Sequence, residues 1–277
     1  MKILFSQSET ILNPWIVCYW GWESDSISGH PTELPKVFPS VENELHISYG
    51  DPIRIGTMND GNEEWNSSQG HIIGNHLSPF RISPEGNVGF FNIRLFPGAF
   101  SELFRIPGKE VRSHVGDLRI LNNKEHSDFI ERIRAAGSFQ ERVSISDTYF
   151  RKLLSTKKQT ESVVVEAVKK IRMSKGKIPI SKLILDLGAN KKTLERKFQE
   201  RIGYNPKEFA RVVRFQNAAW MRPGKQSLSD LALDAGYYDQ SHFTKEFVSL
   251  SGYSPLVWYG LRDRILSLFY NTRSYSF

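Results

Sequence analysis

The chain has 277 residues, 39% of them hydrophobic and 24% charged, which is the balance of a globular protein with room for two domains. No apolar run approaches the ~18 residues of a membrane span and the first residues lack a secretory signal, so we expect a cytoplasmic protein without a membrane partner. The net charge of +7 is unevenly divided: residues 1–150 hold 13 Lys and Arg against 19 Asp and Glu, and residues 151–277 hold 24 against 11. This asymmetry favours a polyanionic partner for the second half, although a solvated basic face needs none.

Aromatic and β-branched runs dominate the acidic half. PWIVCYWGW, NELHISYG and NVGFFNIRLF are separated by clusters of Pro, Gly, Asn and Asp, which predicts the strands of a small sheet or barrel. FPGAFSELF then reads as a strand that leaves through a Pro-Gly turn into a helix, and residues 124–156 have apolar spacing for two more helices. The first half is therefore expected to be β-rich, with helices following the strands.

Candidate chemistry in this half is sparse. Cys18 is the single cysteine, which excludes an intrachain disulfide and a multi-cysteine zinc cluster. We predict no metal, no cofactor and no enzymatic activity, because the segment lacks a His-x-His pair, a phosphate loop and a nucleophile elbow. The histidines are interpreted as surface or core residues; they are His30, His46, His71, His76, His114 and His126. Aromatic residues either fill a core or line an effector pocket; those considered are Trp15, Trp20, Trp22, Phe38, Tyr49, Phe90 and Phe91.

The basic half contains an internal repeat. SKLILDLG at 181–188 aligns with SDLALDAG at 229–236, and the match continues through the following apolar, Gly-Tyr and Pro positions. In each copy the apolar residues have helical spacing on both sides of a glycine, as in the second helix of the second copy, where Phe243, Phe247 and Leu250 form one stripe. The pattern predicts two helix-turn-helix units, at about 178–203 and 227–252.

The opposite face of each second helix is polar. If the apolar stripes are buried, helical geometry exposes amide, hydroxyl, carboxylate and cationic side chains, which are the types that hydrogen-bond base edges in a major groove. A merely solvated face is the alternative for any one of them. The exposed residues predicted are Lys191, Lys192, Glu195, Arg196 and Gln199 in the first unit and Gln240, Ser241, Thr244 and Lys245 in the second.

A helix is predicted between the two units. Asn205 with Glu208 fits a capping box, Pro206 fits the first helical position, and Pro223-Gly224 fits its end. At ~1.5 Å per residue such a helix spans about 25 Å, enough to hold two recognition helices about one DNA turn apart. Its arginines, Arg211 and Arg214, are candidate phosphate contacts or partners for carboxylates at the edge of the core.

DLALDAGYYDQSHFTKEFVSLSGYSPLVWY closely resembles the signature of the AraC/XylS family of transcription regulators, and the resemblance extends over about residues 155–262. TLERKFQERIGYNPKEFARVVR fits the first unit, although LILDLGAN departs from the usual leucine-alanine pair and serine turn. The resemblance implies a monomer whose two units enter adjacent major grooves of a promoter, and a contact with RNA polymerase. The residues it assigns to base reading are Lys192, Glu195 and Arg196 with Gln240, Ser241, Thr244 and Lys245, while His242 would bond a phosphate or its own turn. The acidic half resembles the sensor-like domain of such regulators, a cupin-like barrel that binds a small effector or dimerises.

The sequence thus predicts an α+β protein, with a β-rich N-terminal domain over 1–155 and an all-α DNA-binding domain over 156–277. The predicted function is sequence-specific regulation of transcription, with double-stranded DNA as partner and a small-molecule effector acting through the N-terminal domain. Two alternatives stay open at this point: a cupin-like metalloenzyme fused to a DNA-binding domain, and a regulator whose first domain only forms a homodimer.

Overall fold

The computed structural model describes residues 2–24, 36–57, 64–67, 70–84, 86–112, 115–118, 121, 123–155, 162–221 and 224–261. His30 and His114 lie outside these residues. In this part of the chain the strands come first and the helices dominate the second half, so the predicted α+β class is confirmed. No helix within these ranges is long and apolar enough to cross a membrane.

The described residues of the N-terminal half form nine antiparallel strands in two sheets. The strands are β1 (Lys2–Ser6), β2 (Ile16–Ser24), β3 (Asn43–Ser48), β4 (Ile53–Thr57), β5 (Glu64–Ser67), β6 (His71–Ile73), β7 (Phe80–Pro84), β8 (Val88–Leu95) and β9 (Val115–Asp117). One sheet has the order β1-β2-β8-β3-β6-β9 and the other the order β5-β4-β7. The aromatic runs predicted as strands are β2, β3 and β8, and they are neighbours in the larger sheet.

The central strands of the larger sheet are buried on both faces, which explains why β8 has no alternation of apolar and polar residues. One face packs on two helices through residues such as Tyr19, Phe91 and Ile93. The other face packs on the small sheet through Trp20 and Phe90. The first half is thus a layered structure of helices, large sheet and small sheet.

Ten helices complete the described chain. They are α1 (Ala99–Phe104), α2 (Lys124–Ala135), α3 (Phe139–Ser155), α4 (Val163–Met173), α5 (Ile180–Asp186), α6 (Lys191–Ile202), α7 (Pro206–Trp220), α8 (Leu228–Asp234), α9 (Gln240–Ser251) and α10 (Pro255–Gly260). Helices α2 and α3 are the two helices that the spacing over 124–156 predicts, and they pack on the large sheet. The predicted helix-turn-helix units are α5 with α6 and α8 with α9, joined by α7.

Local signals set the ends of these helices. Asn205 and Glu208 form the predicted capping box of α7, and the Asp239 side chain caps α9 by accepting from the backbone N–H of His242. Gly236 has a φ of 88° in the turn between α8 and α9, a conformation that glycine adopts without a Cβ clash. Helix α7 ends at Trp220, slightly before the predicted Pro-Gly stop, and its 15 residues span about 22 Å.

Candidate DNA-binding surface and the segments that hold it

The second helix of the first unit, α6, buries one stripe and exposes the other. Leu194, Phe198 and Ile202 are at most 1% exposed and pack against α4 and α7. Lys191, Lys192 and Arg196 are exposed, and Glu195 is half-buried. The Arg196 guanidinium donates to both carboxylate oxygens of Glu200, at 2.9 and 3.0 Å, one helical turn further on. The polar face predicted for this unit is therefore open to a partner, with Arg196 held by an ion pair.

The second unit has the same arrangement. Phe243, Phe247 and Leu250 of α9 are fully buried. The candidate residues Gln240, Ser241, His242 and Lys245 are exposed, and Thr244 is half-buried. Gln240 accepts a 2.8 Å hydrogen bond from the Ser229 hydroxyl of α8, which fixes the start of α9 relative to its neighbour.

Arg211 and Arg214 of α7 both bind one carboxylate on the second recognition helix. The Arg211 Nε atom lies 3.0 Å from Glu246 Oε2, and an Arg214 amino group lies 3.0 Å from Glu246 Oε1. Burial opposes the charge of Arg214, but the Glu246 carboxylate outweighs it and raises the pKa of the guanidinium. The Arg214 guanidinium also lies over the ring of Tyr237, 4.7 Å from its centroid. Both arginines thus have a carboxylate partner, which is one of the two alternatives drawn from the sequence. Their contact with DNA phosphate stays a prediction.

Residues 36–42, which we call the strap, connect the N-terminal half to both helix-turn-helix units. Phe38 is 2% exposed and belongs to the core of the second unit, where its ring centroid lies 4.8 Å from that of Trp258 and 5.5 Å from that of Phe215. Val41 is fully buried in the core of the first unit. Lys36 donates to the carbonyl of Gly252 at 3.0 Å, just beyond the end of α9.

The end of the first recognition helix is also held by the N-terminal half. Glu102 pairs with Arg201, and Ser101 donates to the Arg201 carbonyl at 2.8 Å. Asn75 donates to the carbonyl of Ile202, and the Tyr204 hydroxyl donates to the carbonyl of His76 at 2.7 Å. Sequence reasoning missed these contacts, because they join residues about 100 or more positions apart. The predicted domain boundary near residue 155 stays a prediction. Residues from both sides of it belong to the same hydrophobic cores.

A small cavity of about 30 Å³ lies where the strap, the two sheets and α7 meet. Its lining mixes apolar and polar side chains: Trp20, Val37, Phe38, Ser40, Glu42, Glu44, His46, Ile53, Ile55, Ile73, His76, Ile82, Asn92, Arg94 and Gln216. Glu44 forms a buried ion pair with Arg94 across the β3–β8 ladder and accepts from Asn92 at 3.1 Å. Of the seven aromatic residues proposed from the sequence for a core or an effector pocket, Trp20 and Phe38 line this cavity. The other five pack in the hydrophobic cores; they are Trp15, Trp22, Tyr49, Phe90 and Phe91.

Buried histidines surround this cavity. The rings of His46 and His71 are stacked, with centroids 4.5 Å apart and an interplanar angle of 4°. Burial lowers the pKa of His46, and it lowers the pKa values of His71 and His76 to about 4. Among the described residues no group of three or more His, Cys, Asp or Glu side chains is placed to hold a metal ion.

The geometry defines the class of the C-terminal half. Two helix-turn-helix units with buried apolar stripes and open polar faces, joined by one helix, form a double helix-turn-helix domain. Residues 185–259 match the family model described as a helix-turn-helix domain, and residues 7–117 match a domain of unknown function, DUF6597. The resemblance drawn from the sequence is confirmed in the C-terminal half, where residues 185–259 match an AraC-type helix-turn-helix domain.

One curated relative and several solved structures are similar to the chain. An HTH-type transcriptional regulator of Haemophilus influenzae is 39% identical over 61 residues, which are 22% of this chain and 20% of the relative's length. ToxT from Vibrio cholerae is 12% identical in one crystal structure, with 87% of this chain and 97% of that chain covered and a TM-score of 0.45. Another structure of ToxT, described as bound to an unsaturated fatty acid, is 14% identical, with coverages of 88% and 94% and a TM-score of 0.42. These scores lie below 0.5, so the assignment of the C-terminal half rests on its own geometry and on the helix-turn-helix match.

Proposed function

We propose that this protein is a sequence-specific DNA-binding regulator of transcription whose two recognition helices, α6 and α9, enter successive major grooves. The observation that carries the proposal is the duplicated unit with its stripes buried and its polar faces exposed, in a segment that matches a helix-turn-helix domain. The excess of Lys and Arg in residues 151–277 supports it, because phosphate contacts supply the salt-sensitive part of DNA affinity.

The exposed side chains of α6 and α9 differ in the groups of DNA that they can contact. Arg196 suits a guanine edge, which accepts two parallel hydrogen bonds, and the Arg196–Glu200 pair opens when that contact forms. Gln240 uses its carbonyl oxygen on Ser229, which leaves the amide nitrogen as the donor for an acceptor on a base. Lys191, Lys192 and Lys245 serve as phosphate or base-edge donors. Glu195, Ser241, His242 and Thr244 complete the two faces.

We propose further that the N-terminal half senses a small molecule and transmits its binding through the strap. Phe38 lines the cavity and is also part of the core of the second unit. A displacement of its side chain by a bound molecule therefore alters the packing of α9. The ligand-bound ToxT structure concerns that protein; its likeness is compatible with an effector here. A contact with RNA polymerase is expected from the family resemblance, whereas a homodimer belongs to the alternative in which the N-terminal domain only dimerises. A metalloenzyme would instead carry stoichiometric metal, which elemental analysis of the purified protein measures.

Selection of DNA from a random pool with the full chain tests the DNA-binding proposal. We expect a site with two short conserved blocks about one helical turn apart, ~34 Å, because α7 holds the two units at a fixed distance. Replacing Lys245 with Ala is expected to weaken binding to that site, whereas replacing Lys152 with Ala on α3 leaves it unchanged. Selection of no sequence, or equal effects of the two variants, would contradict the proposal.

A further inference from the structure

Two hydrogen-bond acceptors at the cavity have fixed orientations and lack a donor among the residues that the structure describes. The amide nitrogen of Gln216 donates to the carbonyl of Pro39 at 3.4 Å, so its Oε1 atom is the remaining group, and it is buried without a partner. His76 Nδ1 lies 2.7 Å from the carbonyl of Ser78, which can only accept, so the proton is on Nδ1. His76 Nε2 therefore presents a lone pair and is also buried without a partner.

A third acceptor lies on β8. Asn92 donates to Glu44 through its amide nitrogen, which fixes Oδ1 as the acceptor. The Asn92 Oδ1 atom already interacts with the ring of His46, and because an amide oxygen has two lone pairs it can accept a second hydrogen bond. Buried polar atoms without partners are rare in proteins, and each one calls for a bound molecule or a functional role.

The charged groups of the lining favour a cation over an anion. Glu42 and Glu44 contribute two carboxylates and Arg94 one guanidinium, whereas burial keeps His46 and His76 neutral near pH 7. The cavity of about 30 Å³ has room for roughly two water molecules, which is about the size of methylammonium with its two non-hydrogen atoms. A sugar ring or a bulky quaternary cation does not fit this space.

We propose, on the basis of the sensor function above, that this cavity binds the primary ammonium group of a small organic amine through Gln216 Oε1, His76 Nε2 and Asn92 Oδ1. An ammonium group supplies three N–H donors for these three acceptors, and its charge complements the acidic lining. Gln216 belongs to α7 and holds the strap at Pro39, so the bound amine contacts both the sensor half and the DNA-binding half.

Thermal unfolding of the full chain with methylammonium chloride tests this assignment. We expect a saturable rise in Tm of about 3 °C at a concentration tenfold above Kd, with no saturable rise from sodium chloride or tetramethylammonium chloride at equal ionic strength. Gln216→Met, which removes the acceptor at similar size, abolishes the rise, and Gln216→Glu retains it. Gln7→Met, at an exposed glutamine outside the cavity, leaves it unchanged.

A direct measurement covers the case in which a variant does not fold. Saturation-transfer NMR on the wild-type chain is expected to reach the methyl protons of methylammonium and not those of tetramethylammonium. Equal transfer to both cations, no transfer to either, or a rise in Tm with ethylene glycol alone would overturn the assignment and indicate water or a neutral donor in the cavity. None of these measurements contains DNA, so their failure is distinguishable from a failure of the DNA-binding proposal.

Discussion

Phe38→Ala is the substitution that most directly tests whether the strap is part of the DNA-binding half. The side chain is 2% exposed and packs against the rings of Phe215, Trp258 and Tyr253. Removal of a buried Phe ring costs about 3–5 kcal/mol, and we take about 3 kcal/mol because the strap is a loop segment that closes part of the gap. At about 2–4 °C per kcal/mol for a chain of this size, Tm should fall by roughly 6–12 °C.

Thermal and urea unfolding followed by circular dichroism measure this loss, with two matched variants beside it. Phe38→Leu retains most of the apolar volume, so we expect about half of the destabilisation. Phe5→Ala removes the same ring from a site that is 49% exposed, and we expect a change of less than about 1 kcal/mol. If Phe38→Ala and Phe5→Ala have equal effects on the free energy of unfolding, the strap is not a component of the core of the second unit.

Three further predictions follow from the described contacts. Glu246→Gln removes the charge that holds the two arginines of α7, and because both arginines are partly exposed we expect a loss of about 1–3 kcal/mol, measured by urea unfolding. His71 and His76 have folded pKa values of about 4, below the ordinary 6.5, so the unfolded chain binds more protons between these values and stability is lost as pH falls through this window. The pKa of buried His46 is lowered as well, so with three histidines contributing the free energy of unfolding should decline by up to about 4 kcal/mol per pH unit between pH 6 and 4.5, measured from urea midpoints. Arg196→Ala should weaken binding to the selected site by about 1–3 kcal/mol in a binding isotherm.

Each of these has a control. Glu200→Gln removes an exposed carboxylate from a single surface ion pair, so it should cost less than about 1 kcal/mol, and an equal cost for Glu246→Gln would contradict the role given to that residue. His76→Gln removes one of these histidines and should reduce the slope, whereas Gln7→Met, at an exposed site without a titratable group, should leave the pH dependence as it is. For Arg196→Ala, affinity for random-sequence DNA is the comparison, and an equal loss on both DNAs would indicate a phosphate contact.

The helix-turn-helix units could be predicted from sequence because their signals are local. A stripe at i, i+4 and i+7, a glycine with positive φ and a capping Asp lie within about fifteen residues of one another, so the chain reveals them without knowledge of the fold. Phe243 and Phe247 are buried, as the pattern predicts, and Asp239 caps α9. The strands β2, β3 and β8 were also predictable as strands, since their aromatic and β-branched runs are bounded by turn residues.

Only the tertiary structure decided how these parts are joined. From the sequence, Phe38 was one of seven aromatic residues that could fill a core or line a pocket, and the fold places it in the core of the second unit. The sequence also left phosphate and carboxylate as alternative partners of Arg211 and Arg214, and in the fold both arginines contact Glu246. The contacts of the first recognition helix with Glu102 and Asn75 link residues about 100 or more positions apart. Side-chain periodicity records which face of an element is buried, but it carries no information about the distant segment that buries it.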